Sequence, residues 1–429
     1  MTVRGAWARV RRFRFTAGVL VGVLLAGAAW LGADALRPDP AAWEKGRLVI
    51  MSGRDDSAGG QRQVLVEQWN RMYPDHPAEI RQVSGLADAQ HSEMVSQARS
   101  GRSDVDIYNL DVTWTPEFAH AGYLAPLDER GLDTTGFLTG PLETCRYEGR
   151  LWALPFNTDA GLLFRRSDLV PEAPGDWTRA RADMSRVLSD PARPRELVSG
   201  YTGQFGDYEG LTVNTFEAVW AAGGHILVDG RVALDDRARE AVRALAEDAR
   251  SSNPSRLLPE SLRFDESQST TAFRDGKVVL LRNWPVAYRR LADGPDTGGR
   301  ALPFAVSKLP GPSVLGGQNL AVASGSARPA AARALIAYLT SARTQQLLFE
   351  RGGFAATQRI VYEDPQVMAR YSYARTLLSA IEGARPRPVT PHYWRFSEVF
   401  RAGVREALDN GGTLPADFAD RLTRALRGQ

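Results

Sequence analysis

Leu154-Pro155-Phe156-Asn157-Thr158-Asp159-Ala160-Gly161-Leu162-Leu163-Phe164 is the stretch on which the fold turns. It is apolar at both ends and carries Asn157, Thr158 and Asp159 between them. It reads as a buried strand that crosses from one lobe of a protein into another, with polar groups near the start of the crossing.

Upstream of it, strands alternate with helices. Residues 47–51 read as a first strand that ends in the polar turn 52–57. Leu65, Trp69 and Met72 then fall on one helical face, and Pro74 ends that helix. Residues 79–83 read as a second strand, 87–100 as a helix stopped by Gly101, and 105–110 as a third strand followed by Asp111 and a helix near 116–120. Alternation of this kind implies an α/β protein with a mostly parallel sheet. Ligands of such sheets sit beyond the carboxyl ends of the strands. Asp55 and Asp111 both lie just past strand ends, where capping a helix is the competing role.

Downstream, the pattern repeats. Residues 201–224 read as a buried helix and 235–249 as an alanine-rich amphipathic one. A helix over 266–273 turns through Asp275-Gly276 into a strand over 277–281, and 327–350 read as two helices broken near Ser341. Pro386-Arg387-Pro388 precedes two further helices. A chain of 429 residues is ample for two domains.

The N-terminus carries an export signal. Arg4, Arg9, Arg11, Arg12 and Arg14 precede an uncharged apolar run from Phe15 to Ala33, and Ala33-Asp34-Ala35 offers a signal peptidase the small residues that it cuts between. The run is nearly long enough to span a bilayer, so a cleaved signal and an uncleaved anchor both fit, and the basic flank places the body outside. Arg11-Arg12 resembles a twin-arginine signal only weakly, because Arg14 stands where an apolar residue is expected. The single cysteine, Cys145, allows neither a lipid near residue 35 nor an intramolecular disulfide.

Charge follows the same division. The net charge of +3 contains +4 from the five arginines and Asp34 of residues 1–35, which leaves a body near −1. The basic pI therefore gives no ground for a nucleic-acid partner. Export and crossing together point to a protein that leaves the cytoplasm and holds a small polar molecule between two lobes.

Several blocks, in this order, resemble the extracellular solute-binding proteins of ABC sugar importers, the group that includes maltose- and trehalose-binding lipoproteins. They are Asp104 to Asp111 with Trp114 and Glu117-Phe118-Ala119, Tyr123-Leu124, Pro126-Leu127-Asp128, and Leu154 to Phe164. Tyr208-Glu209-Gly210-Leu211 follows, then Phe273 to Gly276 leading to Asn283-Trp284-Pro285, Gly316-Gly317-Gln318-Asn319, and Arg387 to Tyr393. The likeness runs from about residue 45 to 410. It implies a two-lobed, periplasmic-binding-protein-like α/β fold of type II with a ligand cleft between the lobes. One lobe is expected from residues 45–156 and about 302–357, and the other from 157–301 and about 358–429, behind a leader over 1–40.

The resemblance also implies a sugar ligand, a membrane permease as partner, a monomer and no cofactor. Sugars offer paired hydroxyls and flat C–H faces. Carboxylates accept from the former, an arginine donates as a fork, and an indole covers the latter. Carried over residue by residue, the likeness makes Asp111 and Asp159 hydroxyl acceptors from the two lobes, with Asn157, Glu209 and Glu266 as further polar contacts. Trp284 becomes the stacking platform and Arg387 the donor fork. Asp55 and Gln61 stand where the family's first loop touches ligand, and Gln318 where some disaccharide-binding relatives carry an aromatic residue.

Two other readings compete. The same fold presents ligands to receptors as a sensor component. Asp111 and Asp159 can also be recast as the carboxylate pair of a glycoside hydrolase. Against catalysis, the chain has no G-x-S-x-G, no H-E-x-x-H and no phosphate loop. His76, His91, His120, His225 and His392 share no metal-ligand spacing.

Overall fold

A computed structural model describes residues 42–130, 132–251, 254–293 and 302–429; the expected leader over 1–40 lies outside the described residues. Ten strands position the site: β1 (Leu48–Ser52), β2 (Ala78–Gln82), β3 (Ile107–Asp111), β4 (Ala153–Ala160), β5 (Leu162–Arg166), β6 (Ser199–Thr202), β7 (Ser255–Leu257), β8 (Val278–Asn283), β9 (Phe304–Lys308) and β10 (Leu315–Val322). They build two five-stranded sheets, ordered β2-β1-β3-β10-β4 and β7-β6-β8-β5-β9. In the first lobe β1 runs parallel to β2 and β3, while β10 opposes β3 and β4. In the second, β6 runs parallel to β7 and β8, while β5 opposes β8 and β9. Each sheet therefore has one strand directed against the other four, as the mostly parallel α/β reading expects.

The stretch from Leu154 to Phe164 does cross between lobes. β4 belongs to the first sheet and β5 to the second, with Gly161 alone between them. Glycine is required there, because a Cβ would sit 2.6 Å from Glu217 Oε1 and 2.9 Å from Leu309 Cδ1. A second crossing joins β9 to β10. The third follows the helix Ala374–Glu382, which packs against both β4 and β9. One apolar cluster runs through both lobes, from Leu138 and Leu315 to Phe164, Val278 and Leu377.

The structure corrects five expectations. Residues 157–160 finish β4 in the first sheet, so Asp159 stands in the first lobe with Asp111 and not in the second. β9 pairs with β5 from Phe304↔Arg166 to Lys308↔Leu162, so it is the edge of the second sheet and the return crossing lies after Lys308, not near residue 301. Residues 374–382 pack on both lobes rather than on the second alone. The buried helix starts at Glu209 instead of residue 201, because Tyr201 and Thr202 pair within the sheet as part of β6, and Gly203 and Gly206 follow them. Met72 is 49% exposed, whereas Leu65 and Trp69 of the same helix, Gln61–Met72, are buried.

Candidate functional site

Strand ends bring the polar residues of the first lobe together. Gln318 stands opposite Asp111 of β3 on one side and Asn157 of β4 on the other, and just past it the β10–β4 register shifts, with Phe156 the extra residue of β4. Gly316 stands opposite Asp159. Glycine is needed at 317 beside this shift: its φ is 124°, and a Cβ would lie 2.3 Å from the Asn157 carbonyl oxygen. Bulges of this kind re-aim side chains beside binding sites. The result is a row of Asp111, Gln318, Asn157 and Asp159 along one edge of a cavity of about 450 Å³ between the lobes.

The second lobe supplies the opposite wall. Asp265 caps the helix Glu266–Arg274 through Gln268, in a reciprocal capping box, and so fixes Glu266 in the first turn, where the helix dipole favours a carboxylate. Trp284 follows β8, and its Nε1 donates to Glu266 Oε1 at 3.3 Å. The Arg282 guanidinium lies 3.8 Å from the Trp284 ring centroid, so one face of the indole is covered from behind while the residue lines the cavity. Burial raises the Glu266 pKa above its ordinary value, with hydrogen bonds from its own backbone and the Trp284 indole opposing the rise.

Between the lobes stands Arg387. Its Nη1 donates to Glu209 Oε1 at 2.7 Å and its Nη2 to Asp111 Oδ1 at 3.1 Å, while its Nε is buried without a protein partner. Burial works against this charge, but Asp111, Tyr393 and Glu209 outweigh it and hold the guanidinium protonated. Glu209 is fully engaged: the Tyr393 hydroxyl also donates to Oε1, and Ser397 Oγ donates to Oε2 at 2.5 Å. Asp111 Oδ1 accepts from the backbone and hydroxyl of Thr113 as well, whereas no described residue donates to its Oδ2.

Asp159 is the electrostatic outlier. Its Oδ2 accepts from Asn157 Nδ2 at 3.3 Å, and its Oδ1 is buried without a partner. Burial, with Asp111 and Glu266 adding to it, pushes its pKa up to about 7 against the opposing pull of Arg62 and Arg282. An acid with a raised folded-state pKa lowers stability as pH rises: the unfolded chain ionises from near 3.8 upward, and the folded chain only near 7. We therefore expect Asp159→Asn to stabilise the ligand-free chain at about pH 8 by at least ~1 kcal/mol, and to lose that gain at about pH 2.5, below both pKa values. Urea unfolding at the two pH values checks this; an equal effect at both would remove ionisation as the cause.

Asp111, Asn157, Asp159, Glu209, Glu266, Trp284, Gln318 and Arg387 thus line one cavity. Asp55 and Gln61 do not. Asp55 Oδ1 accepts from Ser57 N and Oγ and its Oδ2 from Arg62 N, so it caps the helix Gln61–Met72, the competing role noted for it. Gln61 Nε2 donates locally to Gly59 O. The left-handed Gly59 and Gly60 turn the chain here, and it is Gly53, Arg54 and Asp56 of this loop that reach the cavity. Arg387 also differs from expectation, since both arms of its fork are occupied by protein carboxylates.

Arg62 is the functional candidate that the sequence reading missed. It is 4% exposed, donates to Gln318 Oε1, and lies 4.6 Å from the Phe354 ring centroid. Its signal was available: a charge at the head of the apolar stripe Arg62, Leu65, Val66, Trp69. Two further ties bridge the lobes, Arg290 to Asp56 at 3.1 Å and Arg401 to Asp88 at 2.5 Å. Beside the latter, His91 of the first lobe stacks on Trp394 of the second at 4.5 Å. Among the described residues no group of His, Cys, Asp and Glu side chains forms a metal cluster.

This chain matches the bacterial extracellular solute-binding protein family over residues 56–346. A Deinococcus radiodurans protein described as a "probable ABC transporter-binding protein" is 26% identical over 345 residues, covering 76% of this chain and 80% of that one. Maltose-bound MalE3 of T. maritima superposes with a TM-score of 0.80 at 26% identity, over 89% of this chain and 99% of that one. The GacH receptor of Streptomyces glaucescens, solved both unliganded and with acarbose, shares the fold with a TM-score of 0.76 at 24% identity, over 90% and 98%.

Proposed function

Because this chain belongs to the bacterial extracellular solute-binding protein family, we propose that it captures a di- or oligosaccharide between its lobes outside the cytoplasm and hands it to the transmembrane subunits of an ABC importer. One observation carries this reading. One cavity of about 450 Å³ is lined both by an indole backed on one face and by the carboxylates of Asp111 and Asp159, each with an oxygen to which no described residue donates. Ring C–H faces suit the first and hydroxyls the second. The volume lies in the range of small-molecule clefts. The description of the Deinococcus relative and the maltose in MalE3 support the same class of ligand and partner.

The lobes are expected to move about their three crossings. Sugar stabilises the closed form because only there do both lobes touch it, and the permease reads that closed shape. No step turns the ligand over; the role is capture and delivery. The basic, apolar N-terminal segment over 1–40 delivers the body to the outer side of the membrane, as a cleaved signal or as a retained anchor.

A thermal-shift screen of the purified protein against mono-, di- and oligosaccharides, with maltose, trehalose and maltotriose among them, tests the reading. A sugar at about 100 times its Kd adds roughly 2.7 kcal/mol, a readily visible shift. The same sugar is expected to bind more weakly below about pH 7, where Asp159 is protonated and no longer a full acceptor, and Asp159→Asn should flatten that dependence. A panel without a single shift would overturn the sugar reading.

A further inference from the structure

The ion pair behind the Trp284 platform does not itself line the cleft, yet it meets the platform and two of the three crossings. Arg282, 1% exposed near the end of β8, donates from Nε to Glu217 Oε2 at 2.8 Å and from Nη2 to Oε1 at 2.7 Å. Its Nη1 donates to Gln204 Oε1 at 3.1 Å, and Gln204 in turn donates to the Arg282 carbonyl. Glu217 Oε1 also accepts the backbone N–H of Val314 at 3.0 Å, in the second crossing. Gly161, the whole of the first crossing, packs so tightly on the pair that a Cβ there would lie 2.6 Å from Glu217 Oε1 and 2.9 Å from Arg282 Nη2. The flat guanidinium then lies 3.8 Å from the centroid of the Trp284 ring.

We propose that the buried Glu217–Arg282 pair is a positioning element for ligand binding, which fixes the plane of Trp284 and joins it rigidly to both strand crossings. The inference rests on the proposed sugar-binding function. Neither residue lines the cleft, so the pair acts on the ligand through Trp284, which it ties to the crossings. Stability alone does not explain it, since an apolar pair of similar volume commonly serves a buried position as well as an ion pair does. Apolar side chains cannot hold a planar cation flat against an indole, nor accept the Val314 N–H while closing over Gly161. A platform held in one orientation loses less freedom on binding, and affinity gains from that preorganisation.

The test pairs Glu217→Leu with Arg282→Met in the full chain, using whichever of maltose, trehalose and maltotriose gives the largest thermal shift. The expected result is a ligand-free melting temperature within a few degrees of the parent and a Kd raised by about tenfold or more. Placed in a Trp284→Ala background, the same double change should alter Kd by less than about threefold, because the route through the indole is already gone. A purely structural pair would cost the same in both backgrounds, and that outcome, or a double variant binding within about threefold of the parent, overturns the inference. Should the double variant melt early, Arg282→Lys gives the same reading: it keeps the charge and loses the flat fork, and it too should weaken binding in the parent but not in Trp284→Ala. A parent chain that binds no sugar overturns the proposed function and this inference with it.

Discussion

Trp284→Ala weakens sugar binding by about a hundredfold while leaving the fold in place. One face of an indole offers roughly 100 Å² of apolar surface to a sugar ring, and at about 25 cal/mol per Å² its loss amounts to ~2.5 kcal/mol. The fold survives because Trp284 is only partly buried, and because the Arg282 charge beneath it stays paired with Glu217 when the ring is removed. Calorimetric titration with the sugar found by the thermal screen measures the effect, alongside urea unfolding of the ligand-free chain. Affinity that survives within a few-fold would make Trp284 a wall of the second lobe's core, and the capture surface would then have to be Phe354 or Trp114 on the first.

Arg387→Met is expected to cost about 3–5 kcal/mol of unfolding free energy, the usual effect of removing one partner from a buried ionic network. The side chain of Arg387 is 2% exposed, and it stands between Asp111 of the first lobe and Glu209 of the second. Without it, two carboxylates face each other across the crossing, and the Tyr393 and Ser397 hydroxyls that hold Glu209 in place hold a charge with no counterion. Denaturant unfolding of parent and variant checks the magnitude. A loss below about 1 kcal/mol combined with abolished sugar binding would return Arg387 to the role the family resemblance gives it, a fork that donates to the ligand.

Local patterns along the chain specify the elements and their sense of connection. Strand and helix periodicities are local, so β1, β3, β8 and the helices between them follow from apolar spacing over a few residues. That the stretch Leu154 to Phe164 crosses between lobes follows from its apolar ends, although not that the crossing falls at Gly161. Asp111 was legible as a strand-end residue, whereas its assignment to the cleft, like that of Trp284, came from the family resemblance. Tertiary structure decided what each buried charge does. The partner of Arg62 is Gln318 and those of Glu209 are Arg387, Tyr393 and Ser397, all brought together by the closing of sheets and helices and invisible to any local pattern. Pairing with β5 likewise decided that β9 belongs to the second lobe, and a glycine turn decided that Asp55 caps a helix. The physical reason is common to all of these. Apolar periodicity records which face of an element is buried. A buried ion or hydrogen-bonding group is satisfied only by a partner at about 3 Å in a fixed direction, and that position exists only once distant segments of the chain have packed.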